Sequence, residues 1–463
     1  MDSAAREALR TAAGPENFST SKLDRVLYAS DASNFSHPPQ AVIRARDTEQ
    51  VSRVLAVCSA HRVPVVPRGA GSGLTGGAIP VAGGVVLDMA GMRRILEINA
   101  RHQTATVQPG VVTADLQRAA EEKGLFYPSD PASVNFCSVG GNVAENAGGL
   151  RAVKYGVTRD YVLGLEAVLA DGRVFRSGGA ALKSVVGYDL VRLLVGSEGT
   201  LAVITELTMR LRPLPEAQAT VSAYFDSLDN GARGVQEVLA SGIIPVACEF
   251  MDQLCLEAVK DYAGVQVPAG AQAMLLVEVD GPPEIVERQA RDLGRIMARA
   301  GGAPVEVARD REQAADLWQA RRALGPAIYR MYRGKLNEDV AVPLGNLAEL
   351  VRRIHQVGRK RGVAIPTFGH AGDGNLHVNV MFDPDQPGQE QAAHQAVSDV
   401  FAHTLALKGT LSGEHGVGMA KLGYVGAESN PVALELMRSL KKVFDPAGIL
   451  NPHKKIPSPQ TLE

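Results

Sequence analysis

The sequence predicts an α+β fold: a glycine-rich first half of short strands and helices, a ferredoxin-like layer, and a C-terminal helical segment. Three observations predict it. Glycine, at 48 residues, is the one compositional excess, and it clusters in loops between short apolar strands. Pro213-Leu214-Pro215 breaks the chain as a domain linker does. Beyond that break a β-α-β order occurs twice. At roughly 100–200 residues per domain, 463 residues make two or three domains.

The elements follow in order. Residues 1–36 read as a helix and a lead-in. Strands are expected at Ala41–Arg44, Val63–Pro67, Gly84–Met89 and Thr104–Val107, with a helix at Thr48–His61. A helix over Val111–Lys123 has Thr113 as its expected N-cap. Val162–Leu169 and Arg173–Arg176 flank Asp171-Gly172, a two-residue hairpin signal. A long strand, Thr200–Arg212, closes this half. Strand Ala219–Phe225, helix Asn230–Ser241 and strand Pro245–Phe250 come next, followed by strand Ala273–Val279, helix Pro283–Ala300 and strand Pro304–Val307. Helices dominate from Asp310, interrupted by strands near Asp339–Val342, Ala364–Phe368 and Leu376–Phe382.

Charge excludes some functions. Lys plus Arg number 48 and Asp plus Glu 50, a net charge of -2 without basic blocks. Nucleic-acid binding, which draws on clustered cations, is not expected. The four cysteines, Cys58, Cys137, Cys248 and Cys255, form no CxxC pair and no metal-finger spacing. Met1–Leu9 has no apolar signal region, and no stretch approaches the ~18 apolar residues of a membrane span. A cytoplasmic location is the expectation, with peripheral attachment at the inner membrane left open.

Gly71-Ser-Gly73-Leu-Thr-Gly76 matches the GxGxxG dinucleotide fingerprint and follows a strand. A Rossmann unit needs a helix directly after the glycines. Only Gly77-Ala-Ile-Pro-Val-Ala separates the motif from the next strand, too short for two turns and interrupted by Pro80. The glycines are therefore a strand-to-strand loop, open to two readings: an ordinary surface turn, or a nest of backbone N–H groups for a diphosphate. Pro131 to Gly149 is a second small-residue stretch with three Asn, and Gly196-Ser-Glu-Gly-Thr200 a third. Three such loops in one half point to one extended cofactor approached closely by backbone.

Pro67-Arg-Gly-Ala-Gly-Ser-Gly-Leu-Thr-Gly-Gly77, Gly140-Gly-Asn-Val-Ala-Glu-Asn-Ala-Gly-Gly149 and Gly196-Ser-Glu-Gly-Thr200 resemble the FAD-binding half of the vanillyl-alcohol-oxidase-type flavoproteins. Gly369-His-Ala-Gly-Asp-Gly-Asn-Leu-His377, Gly413-Glu-His-Gly-Val-Gly418 and Phe444-Asp-Pro-Ala-Gly-Ile-Leu-Asn-Pro452 resemble the branch of glycolate oxidase catalytic subunits, cytochrome-type D-lactate dehydrogenases and D-2-hydroxyglutarate dehydrogenases. The resemblance covers roughly residues 35–456. It implies a two-part FAD-binding domain of PCMH type at 37–213, a ferredoxin-like part of a substrate cap at 214–309, and a metal and substrate region with C-terminal helices at 310–456. From the first loop it assigns Arg68, Gly69, Ala70, Gly71, Ser72, Gly73 and Thr75 to FAD. The second stretch adds Pro131, Ser138, Gly141, Asn142, Asn146 and Gly148, with Gly156 just beyond. Glu198, Gly199, Ile204 and Asn451 complete the set. Some relatives tether the flavin through a His in the first loop; Arg68–Gly77 has none, so non-covalent FAD is expected.

Gly372-Asp-Gly374 makes a tight turn, after which Asn375–Phe382 alternates. Leu376, Val378 and Val380 face one way; Asn375, His377 and Asn379 face the other, toward water or a polar pocket. His370, before the turn, can fold back toward His377. Two such His make half a metal site, or are satisfied structural residues. Glu414 and His415 diverge between flanking glycines, as an ordinary exposed turn also would. The resemblance assigns His370, His377 and Glu414 to a divalent metal (Zn or Mn), places His415 beside the flavin as proton acceptor, and gives Arg321 the substrate carboxylate. Arg321 alone, next to Arg322, also fits a solvated basic helix face.

The implied reaction is oxidation of a D-2-hydroxy acid to the 2-keto acid. Without a haem CxxCH or a cluster-type Cys set, electrons are expected to pass to a separate acceptor, such as a quinone, an electron-transfer flavoprotein or iron–sulfur partner subunits. A homodimer is a further expectation left open. Hydroxyglutarate enzymes carry a Thr one turn after the Arg and a Lys two residues before the following Asp. Here those positions are Gly325 and Asn337, although Lys335 is near. With the apolar Val340-Ala-Val342 strand beside it, this favours lactate or glycolate over the dicarboxylate. The competing class is a non-redox flavin enzyme of alkylglycerone-phosphate-synthase type.

Overall fold

A computed structural model describes residues 1–308 and 310–458. The chain divides into two compact units: Met1–Gly148, Gly156–Leu214 and Glu414–Glu463 form the first, Gly149–Tyr155 and Pro215–Gly413 the second. The division is not linear in sequence. The segment after Gly413 returns to the first unit, and seven residues between two glycines belong to the second. Arg309, where the sequence reading ends its ferredoxin-like layer, lies outside the described residues.

In the first unit a four-stranded sheet runs Phe18–Ser19, Ala41–Arg44, Val85–Asp88, Val65–Arg68, the last three parallel. Ile43, Leu87 and Val65 enter one core with Val51, Val54, Leu55 and Cys58 of helix Thr48–His61 and with Leu9 of helix Ser3–Ala13. Val65–Arg68 and Val85–Asp88 are joined by residues 69–84, which contain neither helix nor strand, so the loop is no Rossmann crossover. A five-stranded antiparallel sheet runs Ile95–Asn99, Thr104–Val107, Val203–Arg210, Val162–Val168, Val174–Gly178. Its first strand escaped the sequence reading because its pattern is half exposed.

Two expectations need correction. Thr113 begins helix Thr113–Glu121 but does not cap it; Val112 holds the cap position, and Thr113 is buried with its hydroxyl near Cys137. The second small-residue stretch is not all loop. Val139–Glu145 is a short helix capped by Ser138, whose hydroxyl accepts the Gly141 N–H at 3.2 Å. Its glycines hid a helix that tertiary packing imposes.

The second unit is built on one seven-stranded antiparallel sheet: Val305–Val307, Ala217–Phe225, Ala273–Gly281, Ala247–Asp252, Thr367–His370, Asn375–Phe382, Gly334–Ala341. The first four, in chain order 4-1-3-2, are the ferredoxin-like layer, and the sheet continues past them without a break. Helix Gln253–Ala263, absent from the sequence reading, is capped by Asp252 and packs with helix Gln319–Met331 over one face. Between glycines, Lys154 pairs with Asp280, and Tyr155 donates its hydroxyl to the same carboxylate at 2.8 Å.

Candidate active site

In the first unit the loop after Val65–Arg68 meets helix Val139–Glu145. A Cβ at Gly69 would stand 2.3 Å from Ser138 Oγ, and one at Gly140 2.4 Å from Pro109 Cβ, whereas Gly73 faces open space. Gly71, at φ +70, carries no side chain where the Arg68 guanidinium lies. Arg68 is buried over the Tyr28 ring at 5.5 Å, and its Nη1 has no hydrogen-bond partner among the described residues. Tyr28 itself donates to Asp88 at 2.6 Å. A buried, unsatisfied cation donor beside a glycine-rich loop fits an anionic cofactor, and these residues would hold the diphosphate of FAD.

Several residues assigned to FAD spend their side chains joining loops. Asn142 donates to Thr113 Oγ1 at 2.8 Å, and Asn146 Oδ1 accepts the Arg159 N–H at 2.9 Å. Asn451 donates to the carbonyls of Gly77 and Glu198 at 2.9 and 2.7 Å. Glu198 accepts the N–H groups of Val417 and Gly418, each at 2.8 Å. Thr75 Oγ1 donates to the His415 carbonyl at 3.3 Å. Gly199, like Glu198, has positive φ. Ala70 and Ser72 lie in the first loop, Pro131 in a turn closed by the Val134 N–H, and Ile204 in the strand opposite Ala167. Gly156 turns at φ +81 against Asp160, and Gly148 leaves room for the Glu414 carboxylate. Glu145, missed in the sequence reading, is wedged between Gly77 and Gly416, where Cβ atoms would meet its oxygens. Burial first, then the Glu198 charge, raises its carboxyl well above the usual range.

In the second unit, antiparallel pairing sets one polar face. Asp339 opposes His377, Asn337 opposes Asn379, and Phe368 opposes His377 from the other side. All eight residues of Asn375–Phe382 are buried, so the Asn/His/Asn face does not meet water. His370 folds back as expected: its Nε2 lies 3.4 Å from His377 Nε2, with the rings perpendicular at 89°. Ligand atoms about 2.0–2.1 Å from a tetrahedral ion stand about 3.3 Å apart, so the pair fits two ligands of one divalent ion. Asn375 Nδ2 donates to Asp339 Oδ1 at 2.6 Å, and Ser412 Oγ to Oδ2 at 3.2 Å. Glu414 and His415 come directly after Gly413, the last residue of this unit, and open the returning segment of the first.

Arg321 is not on a solvated face. Its Nε donates to Glu249 Oε2 at 2.6 Å, and its guanidinium lies 4.7 Å over the Phe368 ring. Glu249 is fully buried, and its Oε1 is 2.6 Å from His370 Nδ1. Burial pushes this carboxyl up, but His370 and Arg321 outweigh it and hold the pKa at about 2. Glu249 escaped the sequence reading, yet its signal was there: one carboxylate inside the apolar run Val246-Ala-Cys-Glu-Phe-Met251.

Contrary to expectation, Val340 does not line the His377 face. Val340 opposes Leu376 and so faces away from His377; Asp339, Asn337 and Lys335 share the His377 face. A strand alternates, so counting valines in sequence chose the wrong side. Lys335 Nζ sits 3.8 Å over the Tyr329 ring, and burial lowers its pKa to about 8.

Residues 39–178 match the family described as FAD binding domain, and 214–455 match FAD linked oxidases, C-terminal domain. The chain belongs to the FAD-linked oxidases. It is 45% identical to the glycolate oxidase subunit GlcD of Bacillus subtilis, over 97% of this chain and 96% of that one. It is 36% identical to a D-lactate dehydrogenase of Anaerostipes hadrus, over 90% and 89%. Among solved structures, p-cresol methylhydroxylase superposes with TM-score 0.83 at 19% identity, covering 98% and 96%. An alkyldihydroxyacetonephosphate synthase superposes with TM-score 0.75 at 20% identity, covering 98% and 86%. The shared architecture is the PCMH-type α+β fold. Among the described residues no helix is long and apolar enough to cross a membrane.

Proposed function

We propose that the protein oxidises a short D-2-hydroxy acid, lactate or glycolate, to its 2-keto acid. The observation that carries this reading is one buried face on which a His pair with metal-ligand spacing adjoins an Arg–carboxylate pair. When bound, FAD supplies the hydride acceptor at N5, and a divalent ion held by His370, His377 and Glu414 supplies Lewis acidity at the substrate hydroxyl. Arg321, with Nε committed to Glu249, holds the substrate carboxylate through the rest of its fork. His415 takes the hydroxyl proton on a ring nitrogen as Cα loses hydride. The electrons would leave to a separate acceptor.

Anaerobic titration of the yellow protein with D- and L-2-hydroxy acids tests this. Bleaching by D-lactate and glycolate is expected; a flavin that stays oxidised with every acid removes the reading and leaves a non-redox enzyme of alkylglycerone-phosphate-synthase type. His415→Ala should lower kcat by about 10²–10⁴-fold with FAD retained. Lys335 on the His377 face favours a second reading, D-2-hydroxyglutarate, because a distal carboxylate needs a cation once desolvated. A higher kcat/KM for D-2-hydroxyglutarate than for D-lactate decides for it.

A further inference from the structure

His370 and Arg321 reach the site from different elements, the strand Thr367–His370 and the helix Gln319–Met331. One carboxylate joins them. Glu249, on the strand Ala247–Asp252 and directly opposite His370 in the ladder, places Oε1 2.6 Å from His370 Nδ1 and Oε2 2.6 Å from Arg321 Nε. No solvent reaches it. We infer that Glu249 is the positioning residue of this site, setting the tautomer of His370 and the aim of Arg321 through the two oxygens of one carboxylate. The inference rests on the metal and substrate roles proposed above for those two side chains.

The chemistry runs in one direction on each side. A carboxylate only accepts, so Nδ1 of His370 must carry the proton. In the neutral ring that leaves Nε2 as the lone pair, the form an imidazole must take to bind a metal ion, and it is the nitrogen that faces His377 Nε2 at 3.4 Å. On the other side Glu249 takes the Nε–H of the guanidinium, while the Phe368 ring supports its plane at 4.7 Å. The Nε–H is thereby committed to Glu249, and the terminal N–H groups are the ones left to aim at substrate. Strand geometry fixes the bridge. Glu249, His370 and Leu276 occupy one row of the sheet, so the carboxyl has little freedom to leave either partner.

Glu249→Gln keeps the shape but cannot accept from both partners. Measured on the FAD-loaded protein, with Zn²⁺ or Mn²⁺ alone competed against a chelator, the variant should bind the ion about 10–100-fold more weakly. Its KM for the 2-hydroxy acid should rise together with a fall in kcat, while flavin content and Tm report that the fold is kept. Should Glu249→Gln fail to fold, Glu249→Asp retains the charge yet is one methylene too short to span both partners, and it should show the same two losses in weaker form. A folded variant with the parent's ion affinity and KM overturns the inference, because a merely structural carboxylate would move Tm alone. A parent protein that binds no divalent ion strikes instead at the proposed metal set, and with it the His370 half; the Arg321 half is then judged by KM.

Discussion

Lys335 shows how one residue's surroundings become a pH-dependent stability. Its pKa falls from 10.5 to about 8 because the folded chain desolvates the ammonium. Between those values the folded state binds fewer protons than the unfolded one, so stability rises with pH through that window. Below it the burial cost is fully present. Lys335→Met should therefore stabilise the protein at pH 7 by about 1–3 kcal/mol, and the gain should disappear above about pH 11. Urea midpoints of the two proteins across pH 7–11 check it; a gain that persists at the alkaline end would mean that hydrophobic packing, not the charge, is responsible. The same residue scale explains why Arg321 was ambiguous in sequence. An Arg beside a second Arg looks solvated, and only the burial of Glu249 shows what it faces.

At the scale of elements, the helix Val139–Glu145 and the loop Gly69–Gly77 depend on each other. Ser138 caps the helix, and its hydroxyl occupies the space a side chain at position 69 would need. Gly69→Ala should displace the cap and lower the flavin retained through gel filtration. Adding Ser138→Ala removes the obstructing oxygen, which leaves Ser138 Cβ 3.6 Å from the new methyl. The double variant should recover flavin relative to Gly69→Ala, at the price of a lost cap of about 1 kcal/mol. A double variant that is worse than both singles would show that the glycine serves backbone conformation instead. The long strand Gly334–Ala341 carries a similar lesson. Sequence placed only its end, because Lys, Asn and Glu in the middle do not read as strand; pairing with Asn375–Phe382 overrides that propensity.

For the whole molecule, the FAD-binding unit is discontinuous. Residues 39–178 match an FAD-binding domain, yet Ile449 and Leu450 enter the unit's core and Leu450 bridges to Val65. Lys441 donates to the Thr200 carbonyl at 2.7 Å, and Lys454 to that of Ile79 at 2.7 Å. A chain ending at Gly413 should consequently purify without flavin or fail to fold, although every glycine-rich loop is intact. A yellow, cooperatively melting 1–413 protein would show that the returning segment is dispensable.

Local chemistry was legible in the sequence. The glycine loops, the missing helix after GxGxxG, the hairpin at Asp171-Gly172 and the His-bearing turn all follow from short-range rules on backbone freedom and spacing. The order of the apolar patterns set the α+β class, since strands and helices announce themselves by period. What the sequence left open was pairing. That Glu249 meets both His370 and Arg321 depends on two strands and a helix, far apart in the chain, packing together. That Lys335, not Val340, shares the face of His377 depends on register, where one residue reverses every side chain. That residues 414–458 complete the first unit depends on a buried core the chain assembles only when its ends meet. Long-range burial and strand register are properties of the folded chain, and they, not local pattern, placed the site.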